Sequence, residues 1–565
     1  MILNLNKRLL SALIFTVILL FLYAFYHAAL PANHLPPVEK SSTKSLIKSP
    51  NQGPTNPGVK VHDEEGNDWC SRVSGTRYLD DLASTWAVSC SNPGLSPTVT
   101  KYGGDGSKDG GLICFQSQIE QEPDNFCVAK NAVYTADAGS LPPTPISKED
   151  LWPENGILPP EDVRGSEKKN TRPSRPYKRD GVSTEQQQQR YNSHTRRQSS
   201  PWGFSQKRWK LNCSASKDWS YGVQAVHNFR TYFSETGVGQ QLRGFDMSIK
   251  EASDEERGCN GSIMLVKLEG GGNIWHTLME VWSAVLTLDA LKRAERAREK
   301  LFGINNEEEG AWEGENVEIY IQENMESEMN ASPVFGLWNV VTGKKVQGVQ
   351  ELKDGCYKSV ILPLAGGANP FWKDHWKERN CEKSTLVDGF VGKVLKFYGV
   401  EDSHEKGDEG KVKIRIIGRQ KNRKILRLFD YVKNLKGMYL DADIEITKLE
   451  KLSVTEQLRL IRNTDVLMGV TGAGLTHTMF LRKGAAVIEL TQPEPFVYFG
   501  FGNIARMIGV DYFSVQAEKR EGKSGINWQE DNVLVDERTF VDVVGRAIAG
   551  VKARRERRVG WDDVN

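Results

Sequence analysis

The sequence predicts an α/β chain, two facing Rossmann-like lobes behind an N-terminal transmembrane helix and a stem. Three observations predict it. From residue 260 onward, strand-like and helix-like segments alternate in two runs. A glycine-rich turn in VLMGVTGAGLTHTMFL (466–481) joins an apolar strand to a helix-like segment. Residues 9–30 form an uncharged, almost wholly apolar stretch. The chain has 565 residues, 39% apolar and 26% charged, which is ordinary for globular protein. A net charge of +1 gives no reason to expect nucleic acid.

The elements follow in chain order. Residues 1–8 read as a short cytoplasmic tail carrying Lys7 and Arg8. Residues 9–30 read as an uncleaved signal anchor, because 22 residues rise about 33 Å as a helix and span a bilayer. A cleaved signal peptide would have a shorter apolar region and an A-x-A-like site, and none precedes Pro31. The short leader places the remainder in the lumen, although Lys40, Lys44 and Lys48 just beyond the span weaken the positive-inside pattern. Three N-x-S sequons (Asn212, Asn260, Asn330) agree with a lumenal body. So do eight cysteines, all beyond residue 30 and without a C-x-x-C zinc pattern, which read as disulfides. Only Cys114 with Cys127 is suggested, by proximity.

Residues 31–66, poor in large apolar groups, read as a disordered stem. Residues 67–139 hold four cysteines and several aromatics and read as folded. Residues 140–200 (GSEKKNTRPSRPYKRDG, EQQQQRYNSHTRRQSS) read as a disordered insertion. Two lobes follow, at 201–400 and 401–550, and then a basic tail at 551–565. In the first, SIMLVKLE, NVEIYIQ and KSVILPLA read as strands and IWHTLMEVWSAVLTLDALKRA as a buried helix. In the second, KVKIRIIGR, ADIEI, DVLMGV and AAVIEL read as strands and TEQLRLIRN as a helix. Strands alternating with helices mean parallel α/β units.

Ligands of open parallel sheets sit beyond the carboxyl ends of the strands. Gly472 and Gly474 let a ligand approach the backbone, and a helix from about Leu475 would offer free N–H groups to a diphosphate. The turn Thr471-Gly472-Ala473-Gly474 equally suits close strand–helix packing with no ligand. Arg419 and Arg423 follow the strand KVKIRIIG, where their forks can pair with phosphate oxygens. Glu489, ending the strand after the turn, can accept from ribose hydroxyls. In the first lobe Asn273 stands where an N-cap belongs, and His276 and Glu280, four apart, share a helix face. Ionisable residues among apolar neighbours suggest a general base, or a capped helix with an internal His–Glu hydrogen bond. Asp441-Ala-Asp443 is a D-x-D, but its place before a strand reads as a loop-to-strand edge, and no metal site is expected.

Three segments together resemble glycosyltransferase family 61. GGGNIWHTLMEVWS resembles the family's N-x-x-H-x-x-x-[DE] segment, KIRIIGRQKNRKIL its R-x-x-x-R-x-I-L segment, and NTDVLMGVTGAGLTHTMFLRKGAAVIEL its closing G-x-H-G-A-G-L-T-H block. Trp69-Cys70 and NFCVAKN are similar to fungal members. The resemblance covers about residues 200–520. It implies a GT-B fold and an inverting transferase that moves a sugar, GlcNAc or xylose, from a UDP-sugar to a hydroxyl of a glycoprotein or glycan. No tightly bound cofactor is implied. Carried over, Arg419 and Arg423 hold the diphosphate, Thr471, Gly472, Ala473 and Gly474 form the turn beside it, and His477 matches the second family histidine. Asn273, His276 and Glu280 face the acceptor, His276 or Glu280 as base. Two departures are Thr471 where the family usually has His, and Glu280 where many members have Asp. Thr471 leaves open a lumenal binding protein without catalysis. A dinucleotide oxidoreductase would need a G-x-G-x-x-G turn and a following acid, and the sequence lacks that arrangement. The anchor-and-stem layout points to the Golgi membrane, with the endoplasmic reticulum as second choice.

Overall fold

A computed structural model describes residues 64–89, 100–101, 111–117, 124–135, 208–210, 236–242, 245–246, 259–270, 272–302, 316–323, 334–373, 375–400, 410–420, 422–493, 498–518 and 531–562. The expected anchor, residues 31–63 of the expected stem and the polar insertion lie outside them; Glu64–Gly66, expected as the end of a disordered stem, begin a helix. Among the described residues no helix is long and apolar enough to cross a membrane.

The first sheet is built from β1 (Thr85–Ser89), β2 (Thr100–Lys101), β3 (Gly111–Gln116), β4 (Asn125–Thr135), β5 (Arg208–Lys210), β6 (Phe245–Asp246), β7 (Asn260–Val266), β8 (Glu318–Ile321), β9 (Gln347–Gly348) and β10 (Gly355–Leu362). Its order is β2-β1-β3-β4-β10-β7-β8-β9, with β5 and β6 beside β4. The strands β10, β7, β8 and β9 run parallel. The cysteine-containing segment adds antiparallel strands, and β4 pairs with β10 across more than 200 residues of sequence. β1, β3 and β4 are therefore part of the first lobe's sheet. Helices α1 (Glu64–Val73), α2 (Arg77–Ser84), α3 (Val238–Gln241), α4 (Ile274–Phe302), α5 (Pro370–Lys373) and α6 (Thr385–Phe397) accompany it.

The second sheet contains β11 (Val412–Ile417), β12 (Ala442–Thr447), β13 (Val466–Val470), β14 (Ala486–Thr491) and β15 (Asp511–Gln516), all parallel. Its order is β12-β11-β13-β14-β15. That is a 2-1-3-4-5 doubly wound sheet, whose order reverses between β11 and β13. Central strands covered on both faces must be apolar throughout, and every residue of VLMGV in β13 is buried. Helices α7 (Leu428–Met438), α8 (Val454–Arg462), α9 (Gly500–Met507) and α10 (Glu537–Asp562) complete the lobe. Ser453 starts α8 with a capping box, its hydroxyl accepting from Glu456 N while the Glu456 carboxylate accepts from Ser453 N. The segment expected as a basic tail is helical to Asp562. Val551 is buried, Arg555 pairs with Asp465 at 2.6 Å, and Arg554 pairs with Asp511.

One apolar core runs through both lobes, joining Leu278 and Met279 of α4 to Leu475, Met479 and Phe480 after β13 and to Phe501 and Ile504 of α9. The strap 375–384 runs between the lobes. Phe499 N donates to His375 O, and Asn503 bonds Arg379 N and Lys377 O, each at 2.8 Å. Disulfides join Cys70 to Cys381, Cys114 to Cys127, and Cys259 to Cys356. The suggested pair is among them, because Cys114 and Cys127 stand opposite each other in β3 and β4. Asn260 is exposed at the start of β7; the other two sequons lie outside the described residues.

Candidate functional site

The second lobe's part of the site lies where its strand order reverses. β11 leads through Gly418 to Arg419 and Arg423, and β13 leads to Gly472. Arg423 has φ +55°, a left-handed conformation uncommon for a non-glycine residue. It directs the guanidinium back to the turn, where Nη1 donates to Thr471 O at 2.9 Å. Gly472 has φ +148°, and a Cβ there would lie 2.9 Å from Arg423 Cζ. Glycine at 472 is thus required by its conformation and by the arginine's approach. Gly474 serves packing, since a Cβ would meet the Ile417 side chain at 3.2 Å. Arg419 Nε donates to Asn422 O at 3.0 Å. Burial lowers both arginine pKa values; Arg423 falls to about 10, with the neighbouring Arg419 charge adding. Two half-buried cations pressed together at such a switch point are suited to an anion, which would relieve both the repulsion and the lost hydration.

Three expected donor contacts are interior instead. Thr471 is buried, and its hydroxyl donates to Glu489 Oε1 at 2.6 Å. Glu489 is fully buried, its Oε2 accepting from Tyr512 at 2.7 Å, so it is not presented to a ribose hydroxyl. Burial pushes its carboxyl up to about 7, against the two hydroxyl bonds. The sequence placed Glu489 at a strand end, but β14 continues to Thr491 and carries it beneath the turn. His477 is buried, with Nδ1 2.9 Å from Gly474 O and Nε2 2.8 Å from Gln457 Oε1. It ties the turn to α8. The expected helix from Leu475 is a 3-10 helix, Ala473–Phe480. Thr476 Oγ1 donates to Ala473 O at 2.6 Å, a bond to the carbonyl three residues back that favours the tighter winding.

In the first lobe Asn273 is the N-cap of α4, its Oδ1 accepting from Trp275 N at 3.0 Å. His276 lies with its ring 4.6 Å from that of Trp372 and against Gly270. Burial lowers its pKa to about 4, and Nδ1 has no hydrogen-bond partner among the described residues. Glu280, 5% exposed, accepts from Glu269 N at 2.5 Å. These residues meet the second lobe through Trp275, whose ring lies 5.5 Å from Phe501 and 6.4 Å from Tyr498.

Sequence reasoning missed Glu269, Gly366, Gly367 and Thr236. Glu269 is buried, accepting from Thr236 Oγ1 at 2.7 Å and from Gly367 N at 2.9 and 3.1 Å. Burial pushes it up to about 7. The available signal was PLAGGANP, a strand running into a glycine pair like the turn after β13. The D-x-D carboxylates are engaged by cations. Asp443 takes Arg415 Nη2 at 2.7 Å, and Asp441 takes Lys552.

Residues 339–488 match the family model described as Glycosyltransferase 61. The chain is 33% identical over 142 residues to the EGF domain-specific O-linked N-acetylglucosamine transferase of Canis lupus familiaris, covering 25% of this chain and 26% of that protein. It is 29% identical over 236 residues to the Drosophila melanogaster protein of that description, covering 40% and 42%. The chain thus spans well under half the length of these relatives. The family resemblance read from the sequence stands over residues 339–488, and that span holds both arginines and the glycine turn.

Proposed function

We propose that this chain is an inverting glycosyltransferase of GT-B arrangement, moving GlcNAc or xylose from a UDP-sugar to a hydroxyl of a glycoprotein or glycan. The observation that carries the reading is Arg419 and Arg423 converging with Gly472 at the sheet's switch point. The relatives' printed names speak for GlcNAc and for an EGF-domain acceptor. The three disulfides among the described residues speak for an oxidising compartment, consistent with a Golgi lumenal body held by residues 9–30.

The acceptor oxygen attacks the anomeric carbon and its proton passes to Glu280. The bond from that carbon to the diphosphate breaks, and its electron pair leaves with UDP beside Arg419 and Arg423. One displacement inverts the centre. Fixed charges aimed at the leaving group stabilise the transition state without reorganisation. The burial of Glu280 favours a second reading, a non-catalytic sugar-nucleotide-binding protein, unless acceptor binding opens a path to that carboxylate.

Full-length protein is heated with UDP, UDP-GlcNAc, UDP-xylose or NAD, and UDP release is then followed with a folded EGF repeat. UDP and one UDP-sugar should raise the melting temperature and support turnover. Arg423→Ala should lower kcat/KM by about 100-fold with the fold intact. Protection without turnover supports the second reading, and protection by NAD alone sinks both.

A further inference from the structure

We propose that Glu269 is the positioning residue of Glu280, holding its carboxylate at the acceptor side; this rests on the glycosyl-transfer reading above. Glu269 stands three residues beyond β7 and makes two kinds of contact. Its backbone N–H donates to Glu280 Oε1 at 2.5 Å. Its carboxylate accepts from Thr236 Oγ1 at 2.7 Å and from Gly367 N at 2.9 and 3.1 Å. One residue therefore links the loop after β7, the turn after β10 and helix α4. Those three elements wall in Glu280.

The fit depends on glycine. A Cβ on Gly366 would lie 2.7 Å from Glu280 Cγ, 3.3 Å from Glu269 Cδ and 3.2 Å from the Trp372 ring. The turn closes on both acids at once, so the two side chains lie within one turn's reach. Like charges that close in a buried site resist joint ionisation, and one acid keeps its proton. Burial favours the protonated form of Glu269. It pushes the carboxyl up to about 7, against bonds from the Gly367 amide, the Thr236 hydroxyl and the Gly366 amide; Glu280 lies across the Gly366 turn, and His276, bonded to the Glu269 backbone, is held neutral by burial. A protonated Glu269 leaves the negative charge on Glu280, the group that must accept a proton. Nothing in this pair touches donor phosphate, so its effect belongs on kcat rather than on UDP affinity.

The test compares full-length wild type with Glu269→Ala, Glu269→Gln, Thr236→Val and Glu280→Gln. Turnover uses UDP-GlcNAc or UDP-xylose with a folded EGF repeat, UDP affinity is measured by calorimetry, and melting temperature reports the fold. Glu269→Ala should lower kcat by about 10- to 100-fold with UDP affinity unchanged. Glu269→Gln should recover most of the loss, since its amide oxygen still accepts, and should abolish an ionisation near pH 7 from the wild-type rate profile. Thr236→Val removes one bond and gives a milder loss of the same kind, which covers an alanine variant that fails to fold. Wild-type kcat and pH profile in folded Glu269→Ala, with Glu280→Gln inactive, overturn the positioning role and leave the base in place. Equal losses of kcat and UDP affinity reduce Glu269 to a structural staple and also overturn it. An active Glu280→Gln, or no wild-type turnover with either donor, removes the reading beneath the proposal.

Discussion

At the scale of single residues, the place of the arginines just past β11 was legible and the burial of Glu489 was not. A strand followed by Arg-x-x-x-Arg can be read from sequence, because side chains just past a parallel strand have few places to go but the ligand edge. Glu489 misled because the end of β14 cannot be fixed to one residue by pattern alone, and two residues decide between cleft and core. The structure instead gives Glu489 a thermodynamic signature. Its carboxyl is raised from the ordinary 4.5 to about 7 by burial, so the folded state binds the proton more tightly than the unfolded chain. Such a contribution is fully present below pH 4.5 and is lost as pH rises through about 7. Glu489→Gln removes it, so the variant should gain on wild type as pH rises across that window. The gain should reach roughly 3 kcal/mol, measured as the difference between their denaturation free energies at each pH. A constant difference from pH 5 to 8 would show Glu489 ionised throughout, contrary to its burial.

At the scale of elements, the parallel strands of both lobes were legible because buried β-strands spell themselves out as apolar runs. The attachment of β3 and β4 was not, since pairing β4 to β10 depends on chain closure over a long stretch that no local pattern records. The disulfide between Cys70 and Cys381 closes a still longer loop and anchors α1 to the strap. Its neighbours reinforce it: Ser384 Oγ donates to Ser74 O at 2.6 Å, and the Arg379 guanidinium sits 4.6 Å over the Trp69 ring. Replacing both cysteines by serine should cost about 2–5 kcal/mol, read from chemical denaturation. A loss below about 1 kcal/mol would mean that the packing around Trp69 holds α1 without the bond.

At the scale of the whole molecule, transfer needs the arginines of one lobe and the carboxylate of the other in register, and the strap sets that register. Asn503 is its central fastener. It is 6% exposed, its Oδ1 accepts from Arg379 N, and its Nδ2 donates to Lys377 O, both at 2.8 Å. No methyl or hydroxyl can replace both ends of the carboxamide. Asn503→Ala removes two part-buried hydrogen bonds, to Arg379 N and Lys377 O, about 1 kcal/mol each. Other ties of the strap among the described residues include Arg506 to Glu378 at 2.5 Å, Arg506 Nη1 to Arg379 O at 3.3 Å, Phe499 N to His375 O at 3.0 Å, and the His375 and Trp376 rings against Tyr498. The ion pair is half-exposed and contributes little at physiological salt. The lobes should therefore loosen against each other while each keeps its own sheet. UDP contacts only the second lobe in the proposed site, so its affinity should stay within about twofold of wild type, whereas kcat should fall about 10- to 100-fold. Calorimetry with UDP and turnover with the preferred donor make the comparison on one preparation. If UDP affinity falls in step with kcat, the diphosphate site itself borrows from the first lobe, and the division of labour between lobes argued from Arg423 and Glu280 is wrong.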